Sequence, residues 1–178
     1  MSKKSSDIKK RAQKIKLLIM DVDGVLTPGY IMMGESGRET KIFDVYDGFG
    51  IMLWRKSGLK SAIITAGLTG AVEKRAGCLK VDCVYQNAKD KLHVYERLKK
   101  RLNVKDDEIC FIGDDLIDIP ILKKAGLACC VANACPEVSR YVHYKSVKEG
   151  GRGAVREIIE MVLKSKGIWK DAIREYIR

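Results

Sequence analysis

The sequence predicts a three-layer α/β/α domain: a Rossmann-like parallel sheet between two layers of helices, with a small β-hairpin flap and no large cap. Three observations predict it. Short, nearly unbroken apolar runs recur along the chain, as strands buried on both faces require. Stretches with helical spacing of apolar residues separate them, the alternation that right-handed crossover units produce. A length of 178 residues, against about 100–200 residues per domain, fits one domain over 1–178.

Residues 1–14 are polar and basic, with Lys3, Lys4, Lys9, Lys10, Arg11 and Lys14, and read as a frayed helix. The run 15–20 reads as the first buried strand. Residues 28–46 break the α/β rhythm: Pro28, Gly29, Gly34 and Gly37 punctuate two short β-like segments, 30–33 and 39–43, so a hairpin flap is expected there. A helix follows at 50–56 with Trp54 in the core, then a strand at 60–64, a helix at 69–76 and a short strand at 81–84. The helix 90–102 places Leu92, Tyr95, Leu98 and Leu102 near one face. A strand at 109–112, a helix at 116–124, a strand at 127–131 and a helix at 152–166 complete the body. A helical tail over about 166–178 carries Trp169, Ile173 and Ile177 at helical spacing, suited to docking on the body or on another subunit.

Apolar residues at 46 % and charged residues at 32 % exclude a wholly disordered chain. The net charge of +11 favours an anionic partner, without choosing between nucleic acid, a lipid surface and a small phosphorylated acid. The basic N-terminus lacks interleaved aromatics, so no nucleic-acid role is expected. No 18-residue apolar run exists, and the short run before Asp21 is no signal-peptide core, so no membrane partner is expected and the protein is assigned to the cytoplasm. Six cysteines, at 78, 83, 110, 129, 130 and 135, form no CxxC pair and read as buried free thiols. His93 and His143 are too separated to suggest zinc.

The sharpest chemistry lies after two strands. Asp21-Val22-Asp23-Gly24 follows one apolar run, and Gly113-Asp114-Asp115-Leu116-Ile117-Asp118 follows another. Ligands of open parallel sheets bind beyond the carboxyl ends of the strands, so central neighbouring strands would bring both clusters together. Clustered carboxylates repel unless a cation or proton intervenes, and an oxygen-only donor set suits Mg²⁺. Such a site supports phosphoryl transfer: one Asp attacks phosphorus and another carries the proton.

Asp21-Val22-Asp23-Gly24-Val25-Leu26-Thr27 and Gly113–Asp118 resemble the first and fourth motifs of the haloacid dehalogenase superfamily, over about 15–165. The resemblance implies Asp21 as nucleophile and Asp23 as general acid/base. It implies Mg²⁺ held by Asp21, Asp114 and the main-chain carbonyl of Asp23. Asp118 would support the metal's surroundings, and Asp115 would serve there or as a ligand. Thr65 stands at the phosphate-binding position that ends the second strand, with Ala66 beside it. Ala66-Gly67 replace a customary Gly-Arg. Lys91 is the expected charge-neutralising lysine, with Lys89 as the fallback.

Asp47-Gly48-Phe49-Gly50, Gly113–Pro120 and Gly150-Gly151-Arg152-Gly153-Ala154-Val155-Arg156-Glu157 together resemble the capless branch that hydrolyses 3-deoxy-D-manno-octulosonate 8-phosphate in lipopolysaccharide sugar synthesis. That implies a phosphorylated acidic sugar as substrate and a homotetramer whose flap and C-terminal segments complete neighbouring pockets. Asp47, Gly48 and Arg152 would be substrate residues. Phosphatases of nine-carbon sialic-type acids and phenylphosphate-carboxylase-type subunits share the branch and stay open as alternatives. A basic nucleic-acid-binding module and a noncatalytic assembly subunit are readings of a different class.

Overall fold

A computed structural model describes residues 3–177. In chain order the strands are β1 (Leu17–Met20), β2 (Met32–Met33), β3 (Glu39–Thr40), β4 (Lys60–Ile64), β5 (Cys83–Tyr85), β6 (Ile109–Gly113), β7 (Leu127–Cys130) and β8 (Tyr144–Lys145). The helices are α1 (Lys3–Lys14), α2 (Val45–Lys56), α3 (Gly70–Leu79), α4 (Lys91–Leu102), α5 (Ile119–Leu122), α6 (Ala154–Ser165) and α7 (Trp169–Ile173).

Six strands form one parallel sheet in the order β5-β4-β1-β6-β7-β8. The expected α/β architecture is therefore present. Every residue of β1, β6 and β7 is buried, which explains why these strands read as continuous apolar runs. Helix α2 packs on α6 and α6 on α1, while α4 packs on α5. The apolar stripe of α6, Val155, Ile158, Ile159, Val162 and Leu163, is fully buried and anchors its layer. The flap is an antiparallel pair, with Met32 opposite Thr40 and Met33 opposite Glu39.

Several boundaries differ from expectation. Helix α2 begins at Val45, inside the span assigned to the flap, because the Asp44 carboxylate accepts the Asp47 N–H at 3.0 Å and caps it; Gly48 and Gly50 hide its apolar period. The expected helix at 116–124 is a 3₁₀ turn, Leu116–Asp118, followed by one turn of α-helix with Pro120 at its start. The basic N-terminal segment is docked rather than frayed: Ala12 is fully buried and Arg11 donates to the Gly126 carbonyl at 2.9 Å. The tail lies against its own chain. Helix α7 packs on α2 and α6, Tyr176 meets Phe49 edge-on with centroids 5.1 Å apart, and Lys56 pairs with Glu175. Cys83, Cys110, Cys129 and Cys130 are buried, Cys78 is exposed and Cys135 is intermediate, and all six are free thiols. Among the described residues no helix is long and apolar enough to cross a membrane.

Candidate active site

The register sets the site. Met20 pairs with Ile63 on one side and Ile112 on the other, so β4, β1 and β6 end side by side. The residues just past those ends, Asp21, Thr65 and Asp114, share one sheet edge, and they line an open cleft of about 250 Å³ together with Asp23, Ala66, Lys91 and Asp115.

Asp21 is anchored from two directions. Its Oδ1 accepts the Val22 N–H at 2.7 Å and its Oδ2 accepts Lys91 Nζ at 2.6 Å. Lys91 donates also to Asp118 Oδ1 at 2.8 Å. It opens α4, whose N-cap Asp90 accepts the His93 N–H. The side chains of Lys91 and Asp118 are 2 % and 0 % exposed. Asp118 Oδ2 in turn accepts the main-chain N–H groups of Asp114 and Asp115, at 3.0 and 3.3 Å. A 3₁₀ turn thus folds Asp118 back under the end of β6 and makes it the keystone of the acidic cluster.

Charge is unbalanced here. One ammonium faces three carboxylates, those of Asp21, Asp114 and Asp118. Burial pushes the Asp21 carboxyl up to about 6, with the Asp118 charge adding to this and Lys91 opposing it. Burial, then the charges of Asp21 and Asp118, push Asp114 up to about 8. Burial works against the Lys91 charge, but Asp21 and Asp118 more than offset it and raise its pKa. Oxygens of Asp21, Asp114 and Asp118 lie within 4.8 Å of one another, and Asp114 Oδ1 is buried with no hydrogen-bond partner. A buried orphan acceptor inside an all-oxygen, net-negative cluster fits a hard divalent cation.

Two glycines permit this crowding. Gly24 has φ +85°, and a Cβ there would collide with the Asp114 carboxylate. A Cβ on Gly150 would collide with the Gly24 carbonyl, so the Gly-rich loop lies directly behind the Asp21–Thr27 turn. The Gly151 N–H donates to Val25 O at 2.9 Å. The Gly150–Gly153 segment is therefore a buttress of the turn that carries Asp21 and Asp23.

Thr65 is 2 % exposed and is not a helix cap: its Oγ1 accepts the Gly67 N–H at 3.2 Å, while Thr69 caps α3. Lys91 reaches Asp21, whereas Lys89 is exposed. Asp115 lines the cleft but turns its Oδ1 to the Leu116 N–H at 2.7 Å. Arg152 lies outside the cleft, 63 % exposed and 3.4 Å from Glu149.

Asp47 and Gly48 require correction as substrate residues. Both are buried behind the site. Asp47 accepts the Gly153 and Arg156 N–H groups at 3.2 and 2.8 Å, capping the start of α6. Their distinctive sequence reflects that cap and close packing. Conversely, Lys41 went unnoticed in the sequence. Its side chain is 2 % exposed, and its Nζ donates to Asp23 Oδ1 at 2.5 Å and Glu39 Oε1 at 2.6 Å. The i, i+2 pairing of Glu39 with Lys41 at a hairpin strand was the signal that could have found it.

Comparison with known proteins agrees with this geometry. Residues 69–158 match the haloacid dehalogenase-like hydrolase family model. Over 159 residues, 89 % of this chain and 85 % of the other, the sequence is 42 % identical to 3-deoxy-D-manno-octulosonate 8-phosphate phosphatase KdsC of Yersinia pestis. The fold matches, with a TM-score of 0.93 and 37 % identity, the phosphatase of the same name from Moraxella catarrhalis in complex with magnesium, phosphate and KDO, covering 97 % of this chain and 99 % of that one. It also matches, with a TM-score of 0.89 and 28 % identity, the cobalt-bound deoxy-D-mannose-octulosonate 8-phosphate phosphatase of Haemophilus influenzae, covering 94 % and 99 %. With its acids gathered at the end of β1 and β6, and relatives of this kind along most of its length, the chain belongs to the haloacid dehalogenase-like hydrolases.

Proposed function

We propose that this protein is a magnesium-dependent phosphomonoesterase that hydrolyses 3-deoxy-D-manno-octulosonate 8-phosphate to the free sugar acid and inorganic phosphate, a step of lipopolysaccharide sugar synthesis. The observation that carries the chemistry is the buried Asp21–Lys91–Asp118–Asp114 cluster with its unpartnered Asp114 oxygen, opening into the same cleft as Asp23 and Thr65. The substrate follows from the relatives, which match nearly the whole chain.

Asp21, Asp114 and the main-chain carbonyl of Asp23 would hold Mg²⁺, with Asp118 and Asp115 steadying its ligands; when bound, the ion neutralises the acidic cluster and withdraws charge from the phosphoryl oxygens. Asp21 attacks phosphorus through a carboxylate oxygen. The new O–P bond forms as the bond from phosphorus to the sugar's C8 oxygen breaks, and Asp23 gives its proton to that oxygen. Lys91 keeps Asp21 ionised and offsets charge on the transferring group. The Thr65 hydroxyl and the Ala66 N–H hold phosphoryl oxygens. A water oxygen then attacks phosphorus, Asp23 takes the water proton, and the bond to Asp21 breaks to release phosphate. The working form is a cytoplasmic homotetramer in which Arg152 of one subunit serves the carboxylate end of substrate in its own or a neighbouring pocket.

Phosphate release across the octulosonate phosphate, nine-carbon acid phosphates, other sugar phosphates and phenylphosphate tests the reading. Turnover should be highest on the octulosonate phosphate, vanish with a chelator and return with Mg²⁺. Asp21→Asn should lose at least ~10³-fold in kcat while remaining folded. Wild-type turnover in that variant would overturn the covalent route, and preference for another phosphate would overturn the substrate.

A further inference from the structure

We propose that Lys41 is a positioning residue that dedicates one oxygen of Asp23 to a salt bridge and leaves the other to carry the proton. This rests on the reading of Asp23 as general acid/base. Lys41 follows β3 at the foot of the flap, and its ammonium sits between Glu39 and Asp23, within 2.6 Å of each. The Lys41 side chain is 2 % exposed. Burial opposes its charge, and the hydrogen bonds to Asp23 and Glu39 more than offset that cost. Exposed ion pairs contribute little, but a shielded ammonium with two carboxylate partners is fixed in place.

The two Asp23 oxygens consequently differ. Oδ1 is taken by Lys41. Oδ2 lies toward Gly67, where a Cβ would come within 3.3 Å of it, and Gly67 lines the cleft with Thr65 and Ala66. Oδ2 is therefore the oxygen facing the phosphoryl position. As the P–O bond to the sugar breaks, the Oδ2 proton passes to the departing oxygen; in the second half-reaction Oδ2 takes a proton from the attacking water. Glu39 and Lys41 stand two residues apart on one side of the hairpin, so the flap itself sets the orientation of the proton carrier.

Leaving-group dependence tests this. Release of the leaving group is followed in a single turnover with enzyme in excess, because the later attack of water on the Asp21 ester is common to all substrates: an alkyl leaving group needs a positioned proton, whereas p-nitrophenolate departs without one. Lys41→Met should slow single-turnover release of the sugar acid from the octulosonate phosphate ~30–100-fold, part of the ~10²–10⁴-fold that general acid catalysis supplies, with the half-saturating substrate concentration within about threefold. On p-nitrophenyl phosphate the loss should stay under ~3-fold. Lys41→Arg keeps a cation and should show the same split at ~10-fold; it decides the matter if the Met variant does not fold. Equal losses on both substrates, or none, overturn the assignment of Lys41. Asp23→Asn run in parallel separates the two readings: if it shows no leaving-group split, the acid/base role of Asp23 fails, whatever Lys41 does.

Discussion

At the end of β1, the Lys91 ammonium must serve both Asp21 and Asp118, and Asp114 is left with an unpaired oxygen. The consequence is a definite pH dependence of stability in metal-free protein. An acid whose pKa rises on folding holds its proton more tightly in the native state, so stability is greatest at low pH and is lost as pH rises through the folded pKa. For Asp21 that loss runs from about 4 to about 6, and for Asp114 it extends to about 8, against the ordinary value of 3.8. Removing the charge should remove the penalty. Metal-free Asp114→Asn should melt within a degree or two of wild type near pH 4 and ~3–8 °C above it at pH 8. Excess Mg²⁺ should reverse the order, because only wild type retains the full oxygen set. Melting curves with and without a chelator read this directly; a variant less stable than wild type at pH 8 without metal would show that Asp114 carries no such strain.

Among the elements, α6 and the loop before it tie the back of the domain to its reacting edge. Asp47, on α2, accepts two N–H groups at the start of α6, those of Gly153 and Arg156, and the loop that ends at Gly153 presses on the Gly24 carbonyl through Gly150. Asp47→Ala leaves buried donors unsatisfied at a helix start, at a cost of ~2–3 kcal/mol, or ~5–10 °C in Tm for a domain of this size. Calorimetry checks it, and an unchanged Tm would restore the expectation that Asp47 faces substrate. This pair also shows where sequence reading stops. The central strands β1, β6 and β7 were legible because each is buried and apolar along its whole length, and the site was legible because its acids directly follow β1 and β6. Thr65 and Lys91 were placed by motif resemblance, and both line the cleft beside Asp21. Asp47 was misread because a buried helix-capping carboxylate and a ligand-binding one look alike in sequence; only the partner N–H groups, more than a hundred residues away, tell them apart. Lys41 was missed although its i, i+2 spacing from Glu39 on the hairpin is in the sequence; its bond to Asp23, 18 residues away, becomes apparent only in the fold.

For the molecule as a whole, the proposed homotetramer bears on how the charge of the cleft is balanced. The net charge is +11, yet the cleft is lined by Asp21, Asp23, Asp114 and Asp115 with Lys91 as its cation, and that lysine is already engaged. An acidic sugar phosphate carries a second anionic group that this lining does not balance, and Arg152 lies out in solvent. Tyr30, Ile31 and Met33 on the flap, with Val45 and Tyr46 beside it, are each 69–79 % exposed. The proposed homotetramer would cover this run of large apolar side chains, and a neighbour seated there would bring its own cations near the cleft. Ile31→Asp combined with Met33→Asp should therefore yield a smaller species by sedimentation velocity and raise KM for the octulosonate phosphate at least ~10-fold, while p-nitrophenyl phosphate, which has no distal carboxylate, changes by less than ~3-fold. Arg152→Ala should raise KM for the sugar phosphate with assembly intact, because a guanidinium–carboxylate contact contributes about 1.5–3 kcal/mol when formed. A wild-type monomer with full activity, or an unchanged KM in the flap variant, would mean that each chain completes its own pocket and that the apolar flap serves another purpose.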